Sequence, residues 1–231
     1  MIEVVEDSAA LARAAAARFA CAFREAVADR GVFSVALAGG TTPRGMHLEL
    51  CAPAYDSLPW GAIEVYFGDE RCVPPDDPES NCRAARAALL DPRRIENARV
   101  RRIRGEADPE QAAAEYDALL PARLDLVVLG VGEDGHTASL FPGSPALREA
   151  VRRVVATEGP KPPRRRITVT PAVLAAARGL LVLVAGAGKS AAVARALEGP
   201  EDPLAIPAGL ARRGDWVLDR AAAGGLCRVQ P

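Results

Sequence analysis

Aromatic residues are scarce in this chain: Phe, Trp and Tyr make up 4% of its 231 positions, and there are two histidines, His47 and His136. With 49% of residues apolar all the same, the core must be built mainly from Ala, Val and Leu, which suits helices packed on a parallel sheet. A charge bias is also missing. Lys and Arg number 29 against 30 Asp and Glu, spread along the chain, which excludes a general nucleic-acid or membrane-surface binder. The densest basic run, Arg164–Arg166, is short and leads into apolar Ile167, so it reads as a solvated loop entering a strand. No apolar window approaches a membrane span. Met1–Asp7 is acidic and lacks the order of a secretory leader. The five cysteines, Cys21, Cys51, Cys72, Cys82 and Cys227, form neither a C-x-x-C pair nor a metal-ligand spacing. They read as reduced thiols of a cytoplasmic protein.

What is present is alternation. Leu11, Ala15, Phe19, Ala22, Phe23 and Val27 recur at helical spacing, predicting a helix from Ser8 to about Asp29 with Gly31 as its stop. Short apolar runs predict strands at 32–37, 63–67, 124–129 and 179–184, with weaker ones at 151–156 and 167–170 and a last one near 216–218. Helical stretches fall at 44–50, 80–90, 109–120, 171–178 and 189–198. Strands alternating with helices imply an α/β fold: a three-layer αβα arrangement around a mostly parallel, Rossmann-like twisted sheet. The length fits one domain over residues 1–231, and the Pro-rich 159–165 stretch reads as a loop rather than a linker.

In such sheets ligands bind beyond the carboxyl ends of the strands. Four loops there carry polar residues that a plain connection does not need. Gly39, Gly40, Thr41 and Thr42, followed by Pro43, offer unobstructed backbone N–H groups and two hydroxyls, suited to a phosphate or equally to an ordinary capped turn. Asp69, Glu70 and Arg71 follow the second strand, where a guanidinium can hold an anion and a carboxylate can orient a sugar hydroxyl. The third loop, Gly130–Pro142, contains G-x-G-x-x-G, but Pro142 interrupts any helix starting here, and no acidic residue follows at the spacing a dinucleotide site requires. Its His136 sits in a glycine-flanked turn, where an imidazole can take a proton from water near neutral pH. His47, within a helix, reads as a surface or packing residue. The fourth loop, Gly186–Ser190, ends in G-K-S without the first glycine of a phosphate-binding P-loop; Lys189 remains a candidate point charge for a phosphate.

Taken in order, Ala38–Pro43, Gly68–Arg71, Glu79–Asn81, Gly130–Pro142, Arg166–Thr168 and Gly186–Lys189, with Ile206–Ala208 and Trp216–Asp219 behind them, resemble the 6-phosphogluconolactonase family. The resemblance implies hydrolysis of 6-phospho-D-glucono-1,5-lactone on a fold shared with glucosamine-6-phosphate deaminases and ribose-5-phosphate isomerases. It implies no metal or organic cofactor, and a small phosphorylated lactone as partner. His136 then matches the base, Arg71 and Lys189 the anion ligands, and Asn81 and Arg166 further polar positions near the site. A lactone needs a held water, a base, donors for the oxyanion and a grip on the phosphate. The expectation is that His136 activates water, that Asp134 or Asp69 orients the imidazole or the sugar, and that N–H groups of the Gly39–Gly40 and Gly132 loops stabilise negative charge. Two rivals stand beside it. The deaminase pattern has a glutamate at the position occupied here by Phe141, and a non-catalytic sugar-phosphate sensor would need no base. A monomer or a homodimer is equally compatible with the chain.

Overall fold

The computed structural model describes residues 1–227. In chain order the regular elements are β1 (Ile2–Val5), α1 (Ser8–Arg30), β2 (Phe33–Leu37), α2 (Thr41–Glu49), β3 (Ile63–Phe67), β4 (Asp69–Arg71), α3 (Asn81–Ala85), α4 (Pro109–Leu119), β5 (Leu126–Gly130), β6 (Val154–Glu158), β7 (Arg165–Val169), α5 (Pro171–Ala176), β8 (Gly179–Val184), α6 (Ser190–Leu197), β9 (Asp215–Asp219) and α7 (Arg220–Ala223). Six strands form one parallel sheet in the order β1-β9-β8-β5-β2-β3. β2 is buried at every position and β8 at all but its first. Side chains alternate between the faces of a strand, so both faces of the sheet are covered. This is the expected mostly parallel α/β architecture.

α1 begins where Asp7 accepts from the Ala10 N–H (2.8 Å) and ends at Gly31, whose φ of 74° lets its N–H reach the Val27 carbonyl. Four of the ten aromatics form one cluster at this helix. Phe19 and Phe23 stand 5.3 and 4.8 Å from the ring of Phe33 on β2, and Trp60 closes the cluster 5.5 Å from Phe23. At the sheet edge, the buried Tyr116 hydroxyl accepts from the Phe67 N–H (2.7 Å) and donates to the Phe67 carbonyl (3.0 Å), completing the backbone pairing of β3.

Two features depart from the sequence expectation. β1 is an additional edge strand, too short and too interrupted by Glu3 to stand out as an apolar run. A second, three-stranded antiparallel sheet, β4-β7-β6, lies beside the main one, so residues 69–71 are a strand rather than a loop. The 159–164 segment is the turn of the β6–β7 hairpin, closed by Gly159 N–H to Arg164 O (2.7 Å). Smaller shifts are local. α2 starts at Thr41, and the 80–90 helix divides into α3 and a wider π-type segment over 86–90. Among the described residues no helix is long and apolar enough to cross a membrane.

His47 on α2 is a packing residue, 2% exposed, with no hydrogen-bond partner for Nε2. Burial lowers its pKa from 6.5 to about 4. The folded chain therefore keeps this imidazole neutral while the unfolded chain protonates it, so stability is full above pH 6.5 and falls as the pH drops toward 4. The expected loss is about 3 kcal/mol. Urea midpoints measured across this range should show that slope, and His47→Met should remove the corresponding part of it.

Candidate active site

The site is assembled around a buried carboxylate. Glu70 accepts from the backbone N–H groups of Arg71 (2.8 Å) and Asn81 (2.7 Å) on one oxygen, and from the Cys82 N–H (2.8 Å) and Ser80 hydroxyl (3.0 Å) on the other. Burial pushes its pKa up, against the pull of the Cys82, Asn81 and Arg71 N–H groups. Through these bonds the 72–80 segment folds back and the start of α3 is fixed beside β4. Glu70 is therefore turned inward and is not free to orient a sugar hydroxyl.

Next to it, Asn81 donates from Nδ2 to the carbonyl and carboxylate oxygens of Asp69 (3.0 and 3.1 Å). The other oxygen of Asp69 accepts from the Ser139 hydroxyl at 2.6 Å. A Cβ at residue 39 would lie 1.9 Å from Asn81 Oδ1, so only glycine permits this approach. One network thus joins the loop after β2, strand β4, α3 and the loop after β5.

That last loop carries the imidazole. His136 Nδ1 lies 2.5 Å from Asp134 Oδ1, which also accepts the His136 backbone N–H at 3.1 Å. Burial raises the Asp134 pKa, but the His136 N–H, ring and charge together outweigh it and hold the carboxyl below its usual range. An ionised carboxylate only accepts, so the shared proton sits on Nδ1, and it is Nε2 that bears the lone pair whenever the ring is neutral. The ring passes directly over Gly132, where a Cβ would be 2.0 Å from Nδ1. The turn is closed by Gly132 N–H to His136 O (2.9 Å), Thr137 Oγ1 to Gly130 O (2.9 Å) and Ala208 N–H to Gly135 O (2.9 Å). The Gly132 N–H is committed to this turn, so the glycine serves the loop rather than an oxyanion. Gly135 has a φ of 86°.

The cations come from three other places, β4, β7 and the loop after β8. Arg71 and Arg166 are direct partners across β4 and β7. Arg71 donates to the Glu79 carbonyl (2.6 Å) and carboxylate (3.2 Å), while its Nε is buried without a partner. Arg166, 8% exposed, donates from Nε to Pro163 O at 2.7 Å. Burial first and then the Arg71 charge lower its pKa. Lys189 places Nζ 2.6 Å from the Val131 carbonyl, beside the His136 turn. Its loop is held by Asp219, which accepts from the Gly186 N–H with both oxygens (3.1 and 3.0 Å) and from the Ala222 N–H (2.7 Å). Gly40 caps α2 with a φ of 95°, and the hydroxyl-bearing Thr41 and Thr42 form the first turn of that helix.

The structure gathers the sequence candidates but divides their tasks. Asp134, and not Asp69, meets the imidazole; Asp69 binds Asn81 and Ser139. The inward role of Glu70, the link through Ser139 and the anchoring by Asp219 are not legible in the sequence. Only the position of Asp219 before a short helix hints at a cap. Among the described residues no group of three His, Cys, Asp or Glu side chains is arranged to hold a metal.

Fold and site together define an α/β enzyme whose polar centre lies at the carboxyl edge of a parallel sheet. The chain belongs to the glucosamine-6-phosphate isomerases/6-phosphogluconolactonase family, whose model matches residues 6–218. It is 39% identical to a 6-phosphogluconolactonase of Streptomyces coelicolor over 97% of this chain and 94% of that one. To a Synechocystis 6-phosphogluconolactonase it is 40% identical, over 86% of each. The solved 6-phosphogluconolactonase of Trypanosoma brucei superposes with a TM-score of 0.87 at 29% identity, covering 98% of both chains. A monomeric glucosamine-6-phosphate deaminase shares the fold, with a TM-score of 0.83 at 22% identity, over 97% of this chain and 99% of that one.

The tight approach over residue 132 generates a direct test. Gly132→Ala should fold yet lose the downfield Nδ1–H proton resonance of His136, because the added methyl displaces the ring from Asp134. Gly130→Ala, whose Cβ would meet nothing within 4 Å, should keep it.

Proposed function

We propose that this chain hydrolyses 6-phospho-D-glucono-1,5-lactone to 6-phospho-D-gluconate, with His136 as general base. The lactonase class is supported by the relatives at 39 and 40% identity. The observation that carries the residue roles is the 2.5 Å pairing of His136 Nδ1 with Asp134, which leaves Nε2 as an acceptor at the carboxyl edge of the sheet.

In this reading a water donates its proton to Nε2 as its oxygen attacks the lactone carbonyl. Asp134 holds the ring and stabilises the imidazolium that forms. The N–H groups at the start of α2, around Gly40, Thr41 and Thr42, are free of intrahelical partners and stand where negative charge is favoured, so they are the donors for the developing oxyanion. Collapse of the tetrahedral intermediate breaks the bond to the ring oxygen, which takes the proton back from the imidazolium. Arg71 and Arg166 repel one another across the β4–β7 pair, a strain that a phosphate relieves, and Lys189 adds a point charge nearby. Asn81 keeps the glycine loop and Asp69 in register. A cytoplasmic setting agrees with five free cysteines.

The lactone also opens unaided, so the assay generates it freshly and subtracts the background. Wild type should accelerate formation of 6-phosphogluconate, and His136→Ala should lower kcat by about 10²–10⁴-fold. Arg71→Ala and Arg166→Ala should instead act mainly on KM, each by ~10–100-fold, the worth of a charge-assisted hydrogen bond. Wild type at background, or release of ammonia from glucosamine 6-phosphate, would contradict the lactonase reading.

A further inference from the structure

The face of the imidazole is not left to solvent alone. His136 keeps a third of its side-chain surface exposed, yet its ring stands 4.7 Å, centroid to centroid, from that of Phe141, tilted by 43°. Phe141 is itself 9% exposed. Its backbone is tied down on both sides: the Leu140 N–H before it donates to Thr137 O at 2.9 Å, and after it the Phe141 carbonyl accepts the Ser144 N–H at 3.0 Å.

The Cζ–Cε2 edge of the phenyl ring lies against the turn of the β6–β7 hairpin. A Cβ built on Gly159 would lie 3.0 Å from Phe141 Cζ and 3.1 Å from Cε2, so a side chain at 159 would press on the ring by a few tenths of an ångström. The same point is 3.6 Å from Arg166 Nε, which donates to Pro163 O in the same turn. Base, phenyl ring, hairpin turn and guanidinium are therefore successive neighbours around the ring, the imidazole against Phe141 and the Gly159 turn beside both Phe141 and Arg166. A phenyl ring held against one face of the imidazole resists its rotation about the Cβ–Cγ bond, which adds to the hold of Asp134 on Nδ1.

We propose that Phe141 is a positioning residue: braced by the 159–164 turn, its ring holds the His136 imidazole in the plane that keeps Nδ1 on Asp134 and aims Nε2 at the attacking water. The proposal rests on the reading of His136 as the base, and it assigns the hairpin turn a part in catalysis that acts through Phe141. Disturbing either side of the ring should have the same consequence. Removing the ring frees the imidazole, and pushing the ring from Gly159 tilts it.

Phe141→Ala, Phe141→Leu and Gly159→Ala test this with two readouts. The first, on the protein without substrate, is water exchange of the His136 Nδ1–H proton by NMR, simplified by there being two histidines in the chain. The second is kcat and KM for lactone hydrolysis. Phe141→Ala should broaden the Nδ1–H resonance through faster exchange and lower kcat about tenfold while KM stays within about twofold, the pattern of an interaction lost from the transition state. Phe141→Leu, which refills most of the space without a planar face, and Gly159→Ala should show smaller losses of the same kind. If Phe141→Ala is folded with a wild-type resonance, or with wild-type kcat, the ring is packing only and the proposal fails. Should Phe141→Ala not fold, the other two variants decide by the same criteria. If wild type itself fails to hydrolyse the lactone, the functional reading falls, and the resonance alone decides whether Phe141 positions the imidazole.

Discussion

The carboxyl edge of this sheet is organised by one close contact, the 2.5 Å approach of the His136 ring to Asp134 across a residue with no side chain. A hydrogen bond of this kind fixes both the tautomer and the direction of the remaining lone pair. It also demands a rigid turn, because a shift of an ångström removes it. The chain provides that rigidity from three directions: Thr137 on the end of β5, Ser139 on Asp69, and Ala208 on the Gly135 carbonyl. None of these residues has to touch a substrate.

Buried carboxylates do much of the remaining organisation. Glu70, Asp69 and Asp219 are each 8% exposed or less, and each accepts several N–H or O–H donors rather than pairing with a cation as its main partner. An unpaired charge in such surroundings is costly, but backbone donors aimed at it from fixed turns offset much of that cost. In return each carboxylate dictates the path of a whole loop: Glu70 that of 72–80, Asp69 the junction of α3 with the 130–142 loop, and Asp219 the Gly186–Lys189 turn. The cations are arranged the opposite way. Arg71 and Arg166 face each other across two strands, and the buried Arg71 Nε has no partner. Placing like charges together is unfavourable for stability and suited to an anionic ligand.

The long periodic elements are legible in the sequence alone. α1 and the strands β2, β3, β5 and β8 announce themselves because a helical stripe or a buried apolar run extends over enough residues to rise above composition. The elements that are not legible are short and depend on partners distant in sequence. β1 gains its identity from β9, and β4 from β7. The same division holds at the site. Polar residues clustered after apolar strands point to loops that carry the network, and Gly39 and Gly132 stand out in them as candidate donors; at both the structure adds a close approach that the sequence does not announce, and the Gly132 N–H is taken by the His136 carbonyl. Which aspartate meets His136 depends on the turn geometry of residues 132–136, and the inward rotation of Glu70 depends on the returning α3. Neither is encoded in local pattern.

Everything at this site depends on the orientation of the imidazole by Asp134, and steady-state kinetics of lactone hydrolysis by Asp134→Asn beside Asp69→Asn measure it head-on. The amide keeps the size of the side chain but offers His136 Nδ1 no charge and permits the wrong tautomer. Asp134→Asn is predicted to lose kcat by about 10²–10⁴-fold with KM close to wild type, whereas Asp69→Asn should first lower thermal stability by weakening the bond from Ser139. An Asp134→Asn protein with wild-type kcat, beside an inactive but equally stable Asp69→Asn, would contradict the account and move the orienting role to Asp69.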